Sequence, residues 1–308
     1  YYRYSKDLTL VFELEAQLTA ILEHISDWVD DDGIWRFRGG WDFIDWSPVA
    51  EEERAVYCHL LACIGLLNGA ELLEAVGKSG KKYRALREKM LQAARFLWWK
   101  NREGTFGKSH HVNAMAIRSN VLTAEENRML FSQTLQDDPE LRMTYWHRYL
   151  DLTAAESVGD IQWGLDYIRR HWGQILQLGV TTLWEAFEAG WIGEDPHAVS
   201  MVAAEYARYG GYETSLCHGW SGGPAVWLHR AILGISPHQA GFTEILFQPN
   251  LGDLGWAKGT IPSPLGVISV SLEKRPGRKP LATLQLPAEI TLFIPERTRQ
   301  DWEIEVQR

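Results

Sequence analysis

The stretch GISPHQAGFTEILFQPN, residues 234–250, is where the chain changes texture. Before Gly234, apolar residues recur at the spacing of a helix. After it they come in short, β-branched, partly alternating runs. These runs are TEILFQPN (243–250), GVISVSLEK (266–274), ATLQLP (282–287), ITLFIPE (290–296) and WEIEVQR (302–308), with turns such as PSPLG and RPGRKP between them. They predict an all-β module of five or more strands over 237–308, packed on what precedes it. The boundary falls at Ser236–Pro237, leaving residues 1–236 as a helical domain.

Upstream, Leu8, Val11, Phe12, Leu18, Ile21, Leu22, Ile25 and Trp28 mark a helix over 5–29. Gly33, Gly39, Gly40 and Pro48 then make a long loop of DDDGIWRFRGGWDFIDWSP (30–48). Helical patterns resume at roughly 50–76, 81–100, 109–121, 124–135, 140–154 and 157–175. Shorter ones follow near 183–189 and 196–208, and the last covers 220–233. Helix after helix with alternating loop lengths predicts paired helices in a solenoid or a closed toroid. No fixed-period repeat is present, which counts against a simple solenoid.

A chain of 308 residues can bury a large core and holds one large domain plus a smaller one. A net charge of −9 argues against a nucleic-acid partner, which needs a basic face. No uninterrupted apolar run reaches the length of a membrane span, and YYRYSKDLTL lacks the features of a signal peptide. Three scattered cysteines, Cys58, Cys63 and Cys217, do not make a disulfide framework and point to a reducing, cytoplasmic setting. Zinc, P-loop and α/β-hydrolase motifs are absent. His110-His111 reads as the opening of a helix, and neither a metal nor a cofactor is expected.

Three segments place carboxylates or histidine among aromatics and glycines. GGWDFIDW (39–46) holds Asp42 and Asp45 beside Trp41 and Trp46. TTLWEAFEAGW (181–191) holds Trp184, Glu185 and Glu188, and SLCHGWSGGP (215–224) holds His218 and Trp220. Buried carboxylates cost several kcal/mol unless paired, so such loops are poor structural glue. Glycosidic hydrolysis uses that kind of lining. One carboxylic acid protonates the leaving oxygen, a carboxylate activates water or attacks the anomeric carbon, and aromatic rings hold the sugar. The 15 tryptophans fit the same chemistry, although a large helical core accounts for most of them.

In order along the chain, TT-x-WE, S-x-x-H-G-W-x-G and W-A-x-G-x-x-P-x-P-x-G resemble bacterial α-L-rhamnosidases of glycoside hydrolase family 78, within the six-hairpin glycosidases. The similarity is strong over about 160–275 and extends upstream through FIDW (43–46) and HHVNAMAIRSNVL (110–122). It implies an (α/α)6 barrel followed by a C-terminal β-sandwich, inverting hydrolysis of terminal α-L-rhamnosides, and a carbohydrate partner. It further implies Glu185 as general base, His218 as a contact to bound rhamnose, and Asp45 with Trp46 at the sugar site. Asp42, Trp184 and Trp220 are expected to line the same subsite, and Glu188 to be a solvated or structural carboxylate.

One departure stands out. The family's general acid lies in a segment like D-x-x-R-D-E-x-x-W-x-G-D, which this sequence does not contain. Nine or ten helices are read here where a closed six-hairpin barrel needs twelve. The expectation is therefore a C-terminal portion that holds the base without the acid and is inactive or weak alone. Exposed helix faces would favour self-association or association with a missing N-terminal segment. Two alternatives stay open: a non-catalytic carbohydrate-binding or scaffold protein, and a six-hairpin glycosidase of glucuronyl or glucosyl specificity.

Overall fold

A computed structural model describes residues 1–40, 43–44, 49–99, 104–137, 144–177, 179–185 and 215–308. Its contacts form two units, Glu15–Gly223 and Tyr1–Leu14 with Pro224–Arg308. The boundary expected at Ser236–Pro237 falls within a strand, β1 (Ile235–Pro237).

The helix expected over 5–29 is three pieces, α1 (Tyr2–Ser5), α2 (Thr9–Glu13) and α3 (Glu15–Asp27). Lys6, at φ 58°, ends the first, and Oδ1 of Asp7 then accepts from the N–H of Thr9 at 2.8 Å. A side chain that satisfies main-chain donors locally competes with the helical ladder, and here it interrupts it.

In the helical unit, α4 (Glu51–Ala75) packs on α3, α5 (Lys81–Ala94) and α6 (His110–Ser119). The next helices are α7 (Ala124–Thr134), α8 (Tyr145–Val158) and α9 (Ile161–Gln177). The pairs α4–α5, α6–α7 and α8–α9 each pack as a hairpin, while α4, α6 and α8 follow one another as a second row. A 3₁₀ turn, Gly219–Gly222, continues that row against α8. First helices packed on first helices, each carrying its partner, is the repeating geometry of a helical toroid.

The row explains the sequence of its members. Between Ser109 and Asn120, only Arg118 of α6 escapes burial, and a helix enclosed on all sides needs no polar face. Helix α4 is long and apolar enough by composition to cross a membrane, yet 56% of its most apolar window is buried within the protein. Leu60, Cys63, Leu66 and Ala70 are fully buried there. Helix α8 runs past the expected limit of 154 because its αL terminus is Gly159, φ 83°. Oδ1 of Asp160 then accepts from the N–H of Trp163 at 3.0 Å and starts α9.

In the other unit, α10 (Gly223–Trp227) passes through one π turn, Leu228–Ile232, to Gly234. Gly234 adopts φ 73°, and a Cβ there would lie 2.2 Å from the nitrogen of Pro249. Its carbonyl accepts from Gln248 at 2.8 Å, so the helix gives way to β1 and β2 (Glu244–Phe247) through a position only glycine fits. The remaining strands are β3 (Trp256–Ser263), β4 (Gly266–Glu273), β5 (Leu281–Gln285), β6 (Thr291–Phe293) and, after α11 (Glu296–Asp301), β7 (Glu303–Gln307).

They make a three-stranded sheet, β1-β2-β6, and a four-stranded one, β3-β4-β5-β7. Pairs β2–β6 and β5–β7 are parallel, the others antiparallel. Ile268, Val270, Leu272, Ala282 and Leu284 alternate onto one buried face of the larger sheet, and Ile235, Ile245 and Phe247 are buried in the smaller. Each such Leu, Ile or Phe stabilises the fold by roughly 1.5–3 kcal/mol through burial. Strand β3 lies outside the expected set of strands. As an edge strand it tolerates Pro262 and Gly259, which disguise it in the sequence.

Candidate active site

Two segments of the helical unit, 179–185 and 215–222, are stitched together around Glu185. The N–H of Glu185 donates to the carbonyl of Ser215 at 2.8 Å, and that of His218 to the carbonyl of Leu183 at 2.8 Å. The hydroxyl of Thr182 donates to the carbonyl of Leu216 at 2.5 Å. The Glu185 carboxylate takes part as well, its Oε2 accepting from the N–H of Ser215 at 3.1 Å.

The carbonyls of Trp184 and Glu185 are held from the other side by 219–222. The indole N–H of Trp220 donates to the carbonyl of Glu185 at 3.2 Å, and the hydroxyl of Ser221 donates to the carbonyl of Trp184. Ser221 is fully buried, and its own carbonyl accepts from the indole N–H of Trp172, on α9, at 2.8 Å. The turn that carries Glu185 is thereby tied to a helix rather than left as a free loop.

Nδ1 of His218 lies 3.7 Å from Oε2 of Glu185, beyond hydrogen-bond reach, and its ring stands 4.3 Å from that of Trp220. Glu185 is 9% exposed, whereas His218, Trp184 and Trp220 are half-buried. Among the described residues, Oε1 of Glu185 accepts no hydrogen bond. The arrangement can hold one carboxylate oxygen fixed on a main-chain donor while the other receives a proton from water, with His218 and the Trp220 indole nearby.

Of the residues singled out in the sequence, Trp184, Glu185, His218 and Trp220 come together. Asp42, Asp45, Trp46 and Glu188 lie outside the described residues. The supporting partners Ser215 and Ser221 sit inside the S-x-x-H-G-W-x-G motif without having suggested a role, and Trp172 carried no signal beyond its helical spacing. His110-His111 opens α6 behind the Ser109 cap, as expected. His110 also joins a buried network: its Nδ1 lies 3.1 Å from Oδ2 of Asp151, which accepts from the hydroxyl of Tyr167 at 2.8 Å. Among the described residues, no group of histidine, cysteine and carboxylate side chains could hold a metal ion.

Residues 234–306 match the bacterial α-L-rhamnosidase C-terminal domain. Over 101 residues, 32% of this chain and 10% of the relative, the sequence is 30% identical to an α-L-rhamnosidase of Alteromonas sp. (strain LOR). The fold is similar to the crystal structure of a GH78 family rhamnosidase of Bacillus sp. GL1, with a TM-score of 0.81 at 21% identity over 99% of this chain and 33% of that one. It is also similar to Streptomyces avermitilis α-L-rhamnosidase complexed with L-rhamnose, with a TM-score of 0.74 at 17% identity over 95% of this chain and 28% of that one. This chain therefore spans about a third or less of these relatives. The resemblance read from the sequence holds in sequence over the β module and in fold over nearly the whole chain. A mainly helical toroid-type unit with a C-terminal β module is the architecture shared with them.

Proposed function

We propose that this chain is part of a glycoside hydrolase acting on terminal α-L-rhamnosides, with Glu185 as the general base of an inverting reaction. The observation that carries this reading is the buried Glu185 carboxylate, fixed through Oε2 on the Ser215 N–H and placed beside His218 and Trp220. In the reaction, Glu185 takes a proton from a water as its oxygen attacks the anomeric carbon and the glycosidic bond breaks. His218 bonds a sugar hydroxyl, and the indoles of Trp184 and Trp220 offer apolar faces to the ring. Asp42, Asp45 and Trp46 are assigned to the same subsite on the sequence motif alone.

Inversion needs an acid about 6.5–9.5 Å from the base, so that water fits between them. This sequence lacks the acid motif of the rhamnosidases, and we assign the acid to a further segment of the enzyme. The test follows from that division. An aryl rhamnoside whose leaving group needs no proton should be hydrolysed, with the β-anomer released first in a proton NMR time course. An alkyl rhamnoside should be turned over about 10²–10⁴-fold more slowly. Glu185→Gln should abolish the aryl activity. Retention of configuration, or turnover unchanged in Glu185→Gln, would sink the proposal. Sugar binding that survives Glu185→Gln, with no hydrolysis of any aryl glycoside, would assign a non-catalytic carbohydrate-binding role instead. Turnover of glucuronides or glucosides in place of rhamnosides would assign a different six-hairpin specificity.

A further inference from the structure

Trp256 opens the edge strand β3 and is 70% exposed. The role assigned to Glu185 makes no use of it. Its surroundings are set by the strand register. Trp256 pairs with Glu273, Lys258 with Ser271, and Thr260 with Ser269. Across β5 and β7 the first row continues through Leu281 to Glu303, the second through Thr283 to Glu305 and the third through Gln285 to Gln307, and a fourth pairs Pro262 with Val267. Directly paired residues share a face, and the opposite face of β4 is the buried one carrying Ile268, Val270 and Leu272. The outer face is therefore mostly hydroxyls, amides, one amine and carboxylates, with Leu281, Pro262 and Val267 among them and an indole at one corner.

The indole is the one aromatic ring among the paired residues of that face. It covers no core, and among the described residues it makes no ring contact. The strands repeat at about 4.8 Å and same-face residues at about 7 Å, the scale of one pyranose ring. A flat aromatic plate takes the C–H face of a sugar, while neighbouring Lys, Ser, Thr, Gln and Glu side chains answer its hydroxyls as donors and acceptors. We propose that this outer face is a second carbohydrate-binding surface, with Trp256 as its stacking platform and Lys258, Ser271 and Glu273 as its nearest hydrogen-bonding groups. Its occupant is a stretch of glycan chain; only the choice of a rhamnose-bearing glycan rests on the function proposed for Glu185.

Affinity electrophoresis tests this, using gels that contain a soluble polysaccharide with terminal α-L-rhamnosyl groups and a non-binding reference protein in the same lanes. The chain should be retarded, and Trp256→Ala should lose about tenfold in affinity. Its thermal midpoint should not change, since the side chain packs against no core. Adding Trp256→Ala to Glu185→Gln or to His218→Ala should still lower the affinity about tenfold, which separates this surface from the candidate active site. Absence of retardation, or retardation undiminished in Trp256→Ala, overturns the proposal. So does a fall in mass by light scattering on Trp256→Ala without retardation of the unaltered chain, which would make the indole a contact between copies.

Discussion

The indole N–H of Trp220 reaches the main-chain carbonyl of Glu185, not its carboxylate, at 3.2 Å. Trp220 thus holds the turn that carries the proposed base while its ring lies against His218. Trp220→Phe keeps an aromatic ring but removes the donor. We expect kcat on an aryl α-L-rhamnoside to fall about tenfold with KM within about twofold, because the loss is one of orientation. A matching rise in KM with unchanged kcat would make Trp220 a sugar contact only.

His59 is fully buried between two main-chain groups. Its Nδ1 accepts from the N–H of Trp35 at 3.1 Å, so its Nε2–H donates to the carbonyl of Met90 at 3.1 Å. This bridge uses the neutral ring, and burial pushes the imidazole down to about 4. The unfolded chain takes a proton near the ordinary value of 6.5, whereas the folded chain does not until about 4. Stability from this residue is therefore complete above pH 6.5 and is lost as pH falls towards 4. Urea unfolding should show that slope, and His59→Asn should remove up to one proton's worth of it. An unchanged slope would show that another group titrates.

How far this fold and site were legible depended on where each residue's constraint lies. The β module announced itself because Ile268, Val270 and Leu272 alternate on a strand with one buried face. Strand β3 did not, because its inward positions are Ala257, Gly259, Ile261 and Ser263, of which only Ile261 is large and apolar. The helix pair α8–α9 was read with its break several residues early, since Gly159 stops a helix by backbone conformation and not by hydrophobicity. Glu185, His218 and Trp220 stood out as a motif, but the motif says nothing of hydrogen bonds. That Ser221 holds the carbonyl of Trp184, and Trp172 that of Ser221, is a product of tertiary packing between segments 37 and 49 residues apart.

Glu126 closes a capping box with Thr123 at the start of α7 and also takes a forked pair of bonds from Arg95, at 2.7 and 2.8 Å. The Arg95 guanidinium holds its carboxyl down at about 2. Stability from this group is complete above the ordinary value of 4.5 and fades as pH falls towards 2. Both side chains are partly exposed, so solvent screening limits the gain. Glu126→Gln should cost about 1–2 kcal/mol at pH 7, read from urea midpoints. The difference should shrink at pH 3. A cost independent of pH would mean that the geometry of the Arg95 pair, and not the charge, accounts for it.

Gly234 tests the joint at which helix becomes strand. At φ 73° an L-residue is already strained, and a Cβ would sit 2.2 Å from the nitrogen of Pro249, with the carbonyl carbon of Gln248 only 2.4 Å away. These are main-chain atoms in the segment paired to Gly234 and Ile232, so no side-chain rotation relieves the clash. Gly234→Ala should destabilise the chain by about 3 kcal/mol or more, well above the roughly 1 kcal/mol by which alanine stabilises an unstrained glycine position. Hydrogen exchange should show the loss first in the amides of Gln248 and Asn250, whose bonds to Gly234 and Ile232 span the joint. Protection unchanged at those two amides, with the midpoint unmoved, would show that the joint accommodates a side chain and that glycine is not required there.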